Sequence, residues 1–287
     1  MHALAQHPTQ GTPRWGGARL LVDLLARLRA CARLGLGVAL ALAALGALAQ
    51  AAPPQSALQL AVAANFALPA QKIASAFERE TGQRVLLALG STGKFYAQIR
   101  HGAPFAVLLA ADSETPARLV REGLALADSR MTYAVGQLVL WSAQPGLVDA
   151  QGEVLGRMAR GQLPGKLALA DPRLAPYGAA AQQTLAQLGL AEALRPHVVL
   201  GENIAQAHQF VKSGNALLGL VALSQVMDDG RIASGSAWRV PAHLHAPIRQ
   251  DAVLLTAGAS QPAARAFLQY LRSDAARAVI AAHGYTF

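Results

Sequence analysis

Short apolar runs alternate with amphipathic segments along the chain from residue 58 onwards. In the amphipathic segments apolar positions lie three or four residues apart, as Ile73 and Phe77 do before Gly82. Short apolar runs bounded by turn residues predict buried strands, and the three-to-four spacing predicts helices. Three strand–helix pairs are predicted in this way, with strands in "LQLAVAAN" (58–65), "QRVLLALG" (83–90) and "FAVLLAAD" (105–112).

The same alternation returns in a second block of the chain. The predicted strands there are "GKLALADP" (165–172) and "ALLGLVALSQV" (216–226), the latter running into a helix, and the predicted helices are "YGAAAQQTLAQLGL" (177–190) and "IAQAHQFVKSGN" (204–215). A late strand, "APIRQDAVLLTAG" (246–258), then precedes two terminal helices. Ser273 or Asp274 is predicted to cap the second of these helices.

Alternating strands and helices predict an α/β fold with parallel sheets covered on both faces. The long apolar segment "MTYAVGQLVLWSA" (131–143) and the late strand would supply two crossovers between two lobes. We therefore predict that lobe 1 comprises residues 50–134 and 247–287, and that lobe 2 comprises residues 135–246.

The first 49 residues differ from the rest and resemble a secretory leader. Five arginines precede the apolar run "LGLGVALALAALGALA" (34–49), and small residues surround Gln50. This order is typical of a cleavable signal peptide, and the run is shorter than the roughly 20 residues of a spanning helix. We predict residues 1–49 to be a signal peptide, with a membrane anchor as the alternative, and the protein to be periplasmic.

Charge and cysteine content narrow the possible partners. The chain carries a formal net charge of +9, with 25 basic and 16 acidic residues. Five arginines and one aspartate lie in the leader, so the remainder carries a net charge of about +5 without a concentrated basic run. Nucleic acid is therefore not an expected partner. The single cysteine, Cys31, falls in the leader, so no disulfide is expected in the exported protein.

Four strand-to-helix junctions carry the candidate chemistry. A helix N-terminus offers unpaired N–H groups and a positive dipole end, and ligands of open α/β sheets bind beyond the carboxyl ends of the strands. Asn65 and Ser113 are expected to cap the helices that follow them. The four junctions, two in each predicted lobe, are "AANF" (63–66), "GSTGK" (90–94), "APYGAA" (175–180) and "GENIAQ" (201–206).

Other kinds of site fit the sequence less well. "GSTGK" lacks P-loop spacing, because Phe95 follows Lys94 where Ser or Thr is needed, and Lys94 is expected to face solvent. His243 and His245 could ligate a metal, but no cysteine or acidic residue stands close by. Asp112 and Asp171 end strands without an accompanying nucleophile motif. Catalysis, a metal site and a cofactor are therefore not expected.

At these junctions the chain resembles the periplasmic molybdate-binding proteins of ABC importers. The resemblance runs from "LAVAANFALPAQKIASAFERETG" to the terminal "AAHGYTF", and includes "GSTGKFYAQIRHGAPFAVLLAAD" and "ADPRLAPYGAAAQQTL". It implies a two-lobed periplasmic binding protein fold of type II-like topology, with the ligand in the interlobe cleft. It also implies a tetrahedral dianion held by neutral hydroxyl and N–H donors, without a cationic counter-charge.

The resemblance implies a set of ligand contacts by position. Asn65 falls at the first polar contact, Ser91 at a hydroxyl contact with Thr92 beside it, and Tyr177 at a third site. Ile204 would contribute its backbone N–H. Ala64 and Ala222 replace polar residues of some relatives, and Tyr177 would supply the hydroxyl missing at 222. The alternative for Tyr177 is an aromatic ring packed on Pro176.

Three functions are consistent with these residues. The first is a monomeric binding protein that delivers molybdate, or tungstate, to a membrane permease. The second is a binding protein for sulfate, phosphate or a small organic anion, for which Arg173 in the cleft would be evidence. The third is an exported enzyme on the same scaffold, which would need an acid in the cleft, such as Glu202.

Overall fold

A computed structural model describes residues 57–228 and 230–287. The predicted leader and its cysteine lie outside the described residues. Within them no helix is long and apolar enough to cross a bilayer. The twelve strands of the described residues are, in chain order, β1 Leu58–Ala63, β2 Val85–Gly90, β3 Val107–Leu109, β4 Met131–Gly136, β5 Leu138–Ser142, β6 Leu167–Ala170, β7 Val198–Gly201, β8 Leu218–Ala222, β9 Met227–Asp228, β10 Arg231–Ile232, β11 Ser236–Arg239 and β12 Ile248–Leu254.

Nine α-helices connect or follow these strands in the described part of the chain. They are α1 Ala67–Thr81, α2 Thr92–Arg100, α3 Glu114–Arg121, α4 Val154–Ala159, α5 Pro176–Gln187, α6 Ala191–Leu194, α7 Ile204–Lys212, α8 Pro262–Tyr270 and α9 Asp274–Ala282. Helix α1 ends where periodicity predicts, because Gly82 adopts the left-handed conformation (φ 70°) and its N–H bonds the carbonyl of Glu78.

Two five-stranded sheets form the two lobes. The first sheet has the order β2-β1-β3-β12-β4 and the second has the order β11-β5-β8-β6-β7. Each sheet is buried against helices: Phe77 packs edge-on against Phe267 in the first lobe, and Leu155 and Leu185 belong to the core of the second. The predicted two-lobed α/β architecture is confirmed.

The sheets are mixed, whereas the sequence predicted parallel ones. Strands β1, β2 and β3 are mutually parallel, as are β6, β7 and β8, because helices return the chain between them. β12 is antiparallel to β3 and β4, and β5 is antiparallel to β8 and β11. The chain enters β5 and β12 directly from the other lobe. No helix packed on their own sheet precedes them, so they are not constrained to run parallel to their neighbours.

The chain crosses between the sheets twice. The predicted extended segment 131–143 is two strands in different sheets, β4 and β5, with Gln137 between them. The return path leaves β11 at Arg239, passes through a 3₁₀ turn at Ala242–Leu244 and enters β12 at Ile248. The division of the chain into two domains at 134/135 and 246/247 remains a prediction.

Three local predictions were wrong and one is confirmed. Asn65 lies inside a 3₁₀ turn, Ala64–Phe66, and does not cap α1. Ser113 makes no capping bond, because the Asp112 carboxylate accepts the N–H of Thr115 (2.7 Å). The strand ending at Ala222 runs into a 3₁₀ turn, Leu223–Gln225, and not into an α-helix. Ser273 does cap α9, since its Oγ accepts the N–H of Ala276 (3.2 Å).

Candidate functional site

The four predicted junctions meet around one small cavity between the lobes. The cavity is small: its volume, measured by the positions that the centre of a water molecule can occupy, is about 10 Å³. This is room for roughly one water molecule. The structure thus brings together all five residues predicted from the sequence. The lining residues are Ala63, Ala64, Asn65, Gly90, Ser91, Thr92, Ala111, Ala175, Pro176, Tyr177, Asn203 and Ile204.

Ser91 is the clearest mark of a ligand in this cavity. It is extended and precedes α2, yet its side chain makes no capping bond. The residue is only 3% exposed, and its Oγ is buried without a hydrogen-bond partner among the described residues. A buried hydroxyl without a partner costs about 1–3 kcal/mol. Such an atom at a helix N-terminus is placed to donate to an acceptor from outside the protein.

Thr92 is tied to the neighbouring strand. Its Oγ1 accepts the N–H of Ala111 (3.0 Å), which follows β3. The N–H of the next residue, Gly93, donates across the cleft to the carbonyl of Leu174 (2.9 Å). Since the first N–H groups of a helix have no intrahelical acceptor, the Thr92 N–H stays available at the cavity.

Ile204 presents its backbone N–H for a specific reason. Asn203 caps α7, and its Oδ1 accepts the N–H groups of Ala205 (2.9 Å) and Gln206 (3.1 Å). The carbonyl of Asn203 takes the N–H of Ala207 (3.2 Å). These three bonds leave the first N–H of the helix, that of Ile204, directed along the helix axis at the cavity.

Tyr177 lies at the start of α5, where Pro176 occupies the first turn without an N–H of its own. The side chain is 1% exposed and extends into the core between the lobes. Its hydroxyl accepts a hydrogen bond from Nε2 of Gln250 (3.2 Å). Burial raises the pKa of Tyr177 well above its ordinary value, so the phenol keeps its proton.

Asn65 lines the cavity, but its amide nitrogen is already engaged. Nδ2 donates to Oε1 of Gln250 (2.9 Å) and to the hydroxyl of Tyr285 (3.0 Å). Its carbonyl accepts the hydroxyls of Tyr285 (2.8 Å) and Ser224 (2.8 Å). Asn65 therefore offers a ligand its backbone N–H, whereas its side-chain amide holds the buried polar cluster behind the cavity.

Sequence reasoning missed the other members of that cluster. Gln250, Tyr133, Tyr285 and Ser224 are all buried and hydrogen-bonded within it. Burial raises the pKa of Tyr285 to about 12, so this hydroxyl is also neutral. A glutamine inside the apolar strand "APIRQDAVLLTAG" is the signal that could have pointed to them, because a buried amide requires partners.

Comparison with known proteins identifies the family. The sequence model of the bacterial extracellular solute-binding proteins matches residues 58–286. This chain belongs to that family. The molybdate-binding protein ModA of Azotobacter vinelandii is 55% identical over 268 residues, covering 93% of this chain and 97% of the relative. ModA of Rhodobacter capsulatus is 48% identical over 225 residues, covering 78% and 86%.

A solved structure agrees with these relatives. The periplasmic molybdate-binding protein of Azotobacter vinelandii superposes with a TM-score of 0.76 at 40% identity, covering 80% of this chain and 99% of that one. The sulfate-binding protein SubI of Mycobacterium tuberculosis has a TM-score of 0.62 at 14% identity, a likeness of fold alone. The two-lobed fold predicted from the sequence is that of these solute-binding proteins.

Charged residues surround the cavity of this solute-binding protein without lining it. Lys94 forms an exposed ion pair across the cleft with Glu202, the acid that the enzyme hypothesis required. Arg173 forms two bonds to Asp171 (3.1 and 2.7 Å), and hydrogen bonds from Arg173 lower the pKa of that carboxyl. Within the described residues, the cavity therefore presents only neutral donors.

A larger groove lies beside the cavity, and the charged residues concentrate there. Its volume is about 330 Å³, and Asp112, Arg173 and Arg249 line it. Burial raises the pKa of Asp112, whose carboxylate accepts from the N–H and hydroxyl of Thr115. Among the described residues there is no group of three or more His, Cys, Asp and Glu side chains placed to hold a metal ion.

Proposed function

We propose that this protein captures molybdate, and tungstate with it, in the interlobe cavity and delivers it to the permease of an ABC importer. The observation that carries the proposal is that Ser91 Oγ has no partner among the described residues and lies at a neutral cavity, which Thr92, Tyr177 and Ile204 line at the starts of three helices. The molybdate-binding relatives at 55% and 48% identity support the choice of ligand.

Neutral donors suit a tetrahedral oxyanion dianion. Hydroxyl and N–H groups converging from three α-helix N-termini compensate its desolvation through charge-assisted hydrogen bonds and helix dipoles. No proton has to be gained or lost at the site. A smaller anion such as sulfate would leave some buried donors unpaired, and each unpaired donor lowers its affinity relative to molybdate.

Several contacts across the cleft show a closed arrangement of the lobes. The N–H of Gly93 donates to Leu174 (2.9 Å), and Ser224 Oγ donates to Asn65 (2.8 Å). A ligand contacting both lobes binds the closed form more tightly and raises its population. We propose that the permease recognises this closed form and that the protein acts as a periplasmic monomer, exported by cleavage of residues 1–49, without a nucleic-acid partner or a cofactor.

Titration calorimetry of the exported, purified protein tests the proposed function. Molybdate and tungstate should each bind one-to-one, while sulfate and phosphate at the same concentrations should give no saturable heat. Binding of sulfate or phosphate in preference to molybdate would transfer the assignment to another oxyanion. The absence of heat from all four would reject an oxyanion site.

Lys94 is expected to contribute little to molybdate affinity, although it is the nearest cation in the sequence to Ser91. It is 43% exposed and pairs with the exposed Glu202, and exposed pairs contribute little. We expect Lys94→Met to weaken binding by less than about fivefold. Calorimetry checks this, with Lys72→Met on α1 as a distant control. A loss above about 100-fold would mean that the site uses a cationic counter-charge.

Molybdate affinity is expected to be insensitive to pH across the neutral range. Burial holds the pKa of Tyr177 well above its ordinary value, so its hydroxyl stays protonated until the solution is strongly alkaline. No histidine or carboxylate lines the cavity among the described residues. Titrations at about pH 6.5, 7.5 and 9 should give dissociation constants within about twofold of one another. A decrease in affinity of tenfold over this range would reveal a titrating ligand contact.

A further inference from the structure

Gln250 joins the two lobes directly behind the cavity. It lies on β12 of the first sheet and is fully buried. The pairing of β12 with β4 shifts register between Gln250 and Asp251, an irregularity that redirects side chains. The amide reaches Tyr177 on α5, which belongs to the second lobe.

The orientation of this amide is fixed by its surroundings. Oε1 of Gln250 accepts from Nδ2 of Asn65 (2.9 Å), and the hydroxyl of Tyr133, which shares its single proton with the carbonyl of Ala110, lies 3.0 Å from each of these two oxygens. Because the oxygen faces the amide nitrogen of Asn65, Nε2 of Gln250 faces Tyr177. The hydroxyl of Tyr177 then acts as the acceptor, so its own proton points away from Gln250.

We propose that Gln250 is a positioning residue that directs the hydroxyl proton of Tyr177 to the bound oxyanion. The proposal rests on the proposed function. Asn65 orients Gln250, and Gln250 orients Tyr177, which lines the cavity. Because the last of these bonds crosses between the lobes, the donor is oriented in the closed form.

Gly136 provides the space for this contact. A Cβ atom at this position would overlap the hydroxyl of Tyr177 and would lie 2.6 Å from Nε2 of Gln250. Gly136 ends β4 and is not among the glycines with positive φ, so its backbone conformation is open to alanine. Because Gly136 has no side chain, the hydroxyl of Tyr177 can approach Nε2 of Gln250. A larger residue at this position would separate the two groups.

A double-mutant cycle separates positioning from a purely structural role. Molybdate is titrated into the wild type, Gln250→Met, Tyr177→Phe and the double variant, and thermal unfolding of each unliganded protein is recorded. We expect each single variant to bind about tenfold more weakly or worse, and the double variant to bind within about threefold of Tyr177→Phe. Tyr270→Phe, which loses an exposed hydroxyl bonded to Glu80, should bind like the wild type.

The outcomes distinguish the two proposals. If the wild type binds molybdate and the losses of the two single variants multiply in the double variant, Gln250 does not act through Tyr177 and the inference is wrong. A wild type that does not bind molybdate would reject the proposed function and this inference with it. Should Gln250→Met fail to fold, Gly136→Ala takes its place: a loss of about tenfold supports the inference, and unchanged affinity contradicts it.

Discussion

Replacing Ser91 with alanine should weaken molybdate binding by about 10- to 100-fold, the equivalent of one hydrogen bond to a charged partner. In the part of the chain that the structure describes, no group pairs with the buried Ser91 Oγ, so we expect it to donate its hydrogen bond to a ligand. Removing the hydroxyl should leave the unliganded protein at least as stable as the wild type, because an unpaired buried group is lost. Calorimetry gives the affinity, and thermal unfolding without ligand gives the stability.

Ser113→Ala is the matched control for this experiment. Ser113 also directly precedes a helix, α3, and also makes no side-chain capping bond, but it lies outside the cavity. It should bind molybdate as the wild type does. If Ser91→Ala bound molybdate unchanged while the unliganded protein lost stability, Ser91 would be a structural residue and the cavity would need another donor.

Replacing Ile204 with proline should lower molybdate affinity by a similar factor, about 10- to 100-fold. The substitution removes the one N–H of the first turn that Asn203 does not take. Proline is well tolerated at the first helical position, and Asn203 is extended (φ −151°, ψ 172°), as a residue before proline prefers. The loss should therefore appear in binding, with the helix intact.

Ile204→Val separates the N–H from the buried side chain. Valine keeps the N–H and removes one methylene, which costs about 0.5–1.5 kcal/mol of folding stability. It should bind molybdate within about threefold of the wild type, measured by the same titration. Equal losses in the valine and proline variants would show that packing of the side chain, and not its N–H, determines affinity.

The periodicity of the sequence was enough to predict the two lobes and the position of the cleft. Local apolar runs determine β1, β2 and β3, and glycines such as Gly82 determine where helices end. The directions of β5 and β12 could not be predicted in this way. The direction of each of these strands depends on the lobe from which the chain enters it, and no local sequence pattern encodes that path.

Site prediction succeeded where the signal was local. Ser91 was found because helix N-termini have recognisable sequences, and Ile204 was assigned, at a junction of the same kind, from the resemblance to the molybdate-binding family; both line the cavity. Asn65 was assigned a capping role because local sequence favours it, but its amide bonds Gln250 and Tyr285, 185 and 220 residues away. Gln250 was missed for the same reason: buried polar clusters form from distant segments, and each member alone resembles an ordinary polar residue.

Charged side chains lie outside the cavity and are paired there. Lys94 and Arg173 each pair with an acid outside the cavity, and the described lining is neutral. A dianion would therefore be held by the number and direction of its hydrogen bonds. Selectivity in such a site follows from how many donors a given anion can reach at once.

Crystals of the protein grown with molybdate, measured on both sides of the molybdenum absorption edge, test this claim most directly. We expect one anomalous peak in the interlobe cavity, with oxyanion oxygens within about 3 Å of Ser91 Oγ, of the hydroxyl of Tyr177 and of the N–H of Ile204, and with no cationic side chain within that distance. A peak in the groove beside Arg173 and Arg249, or one in contact with Lys94, would contradict it.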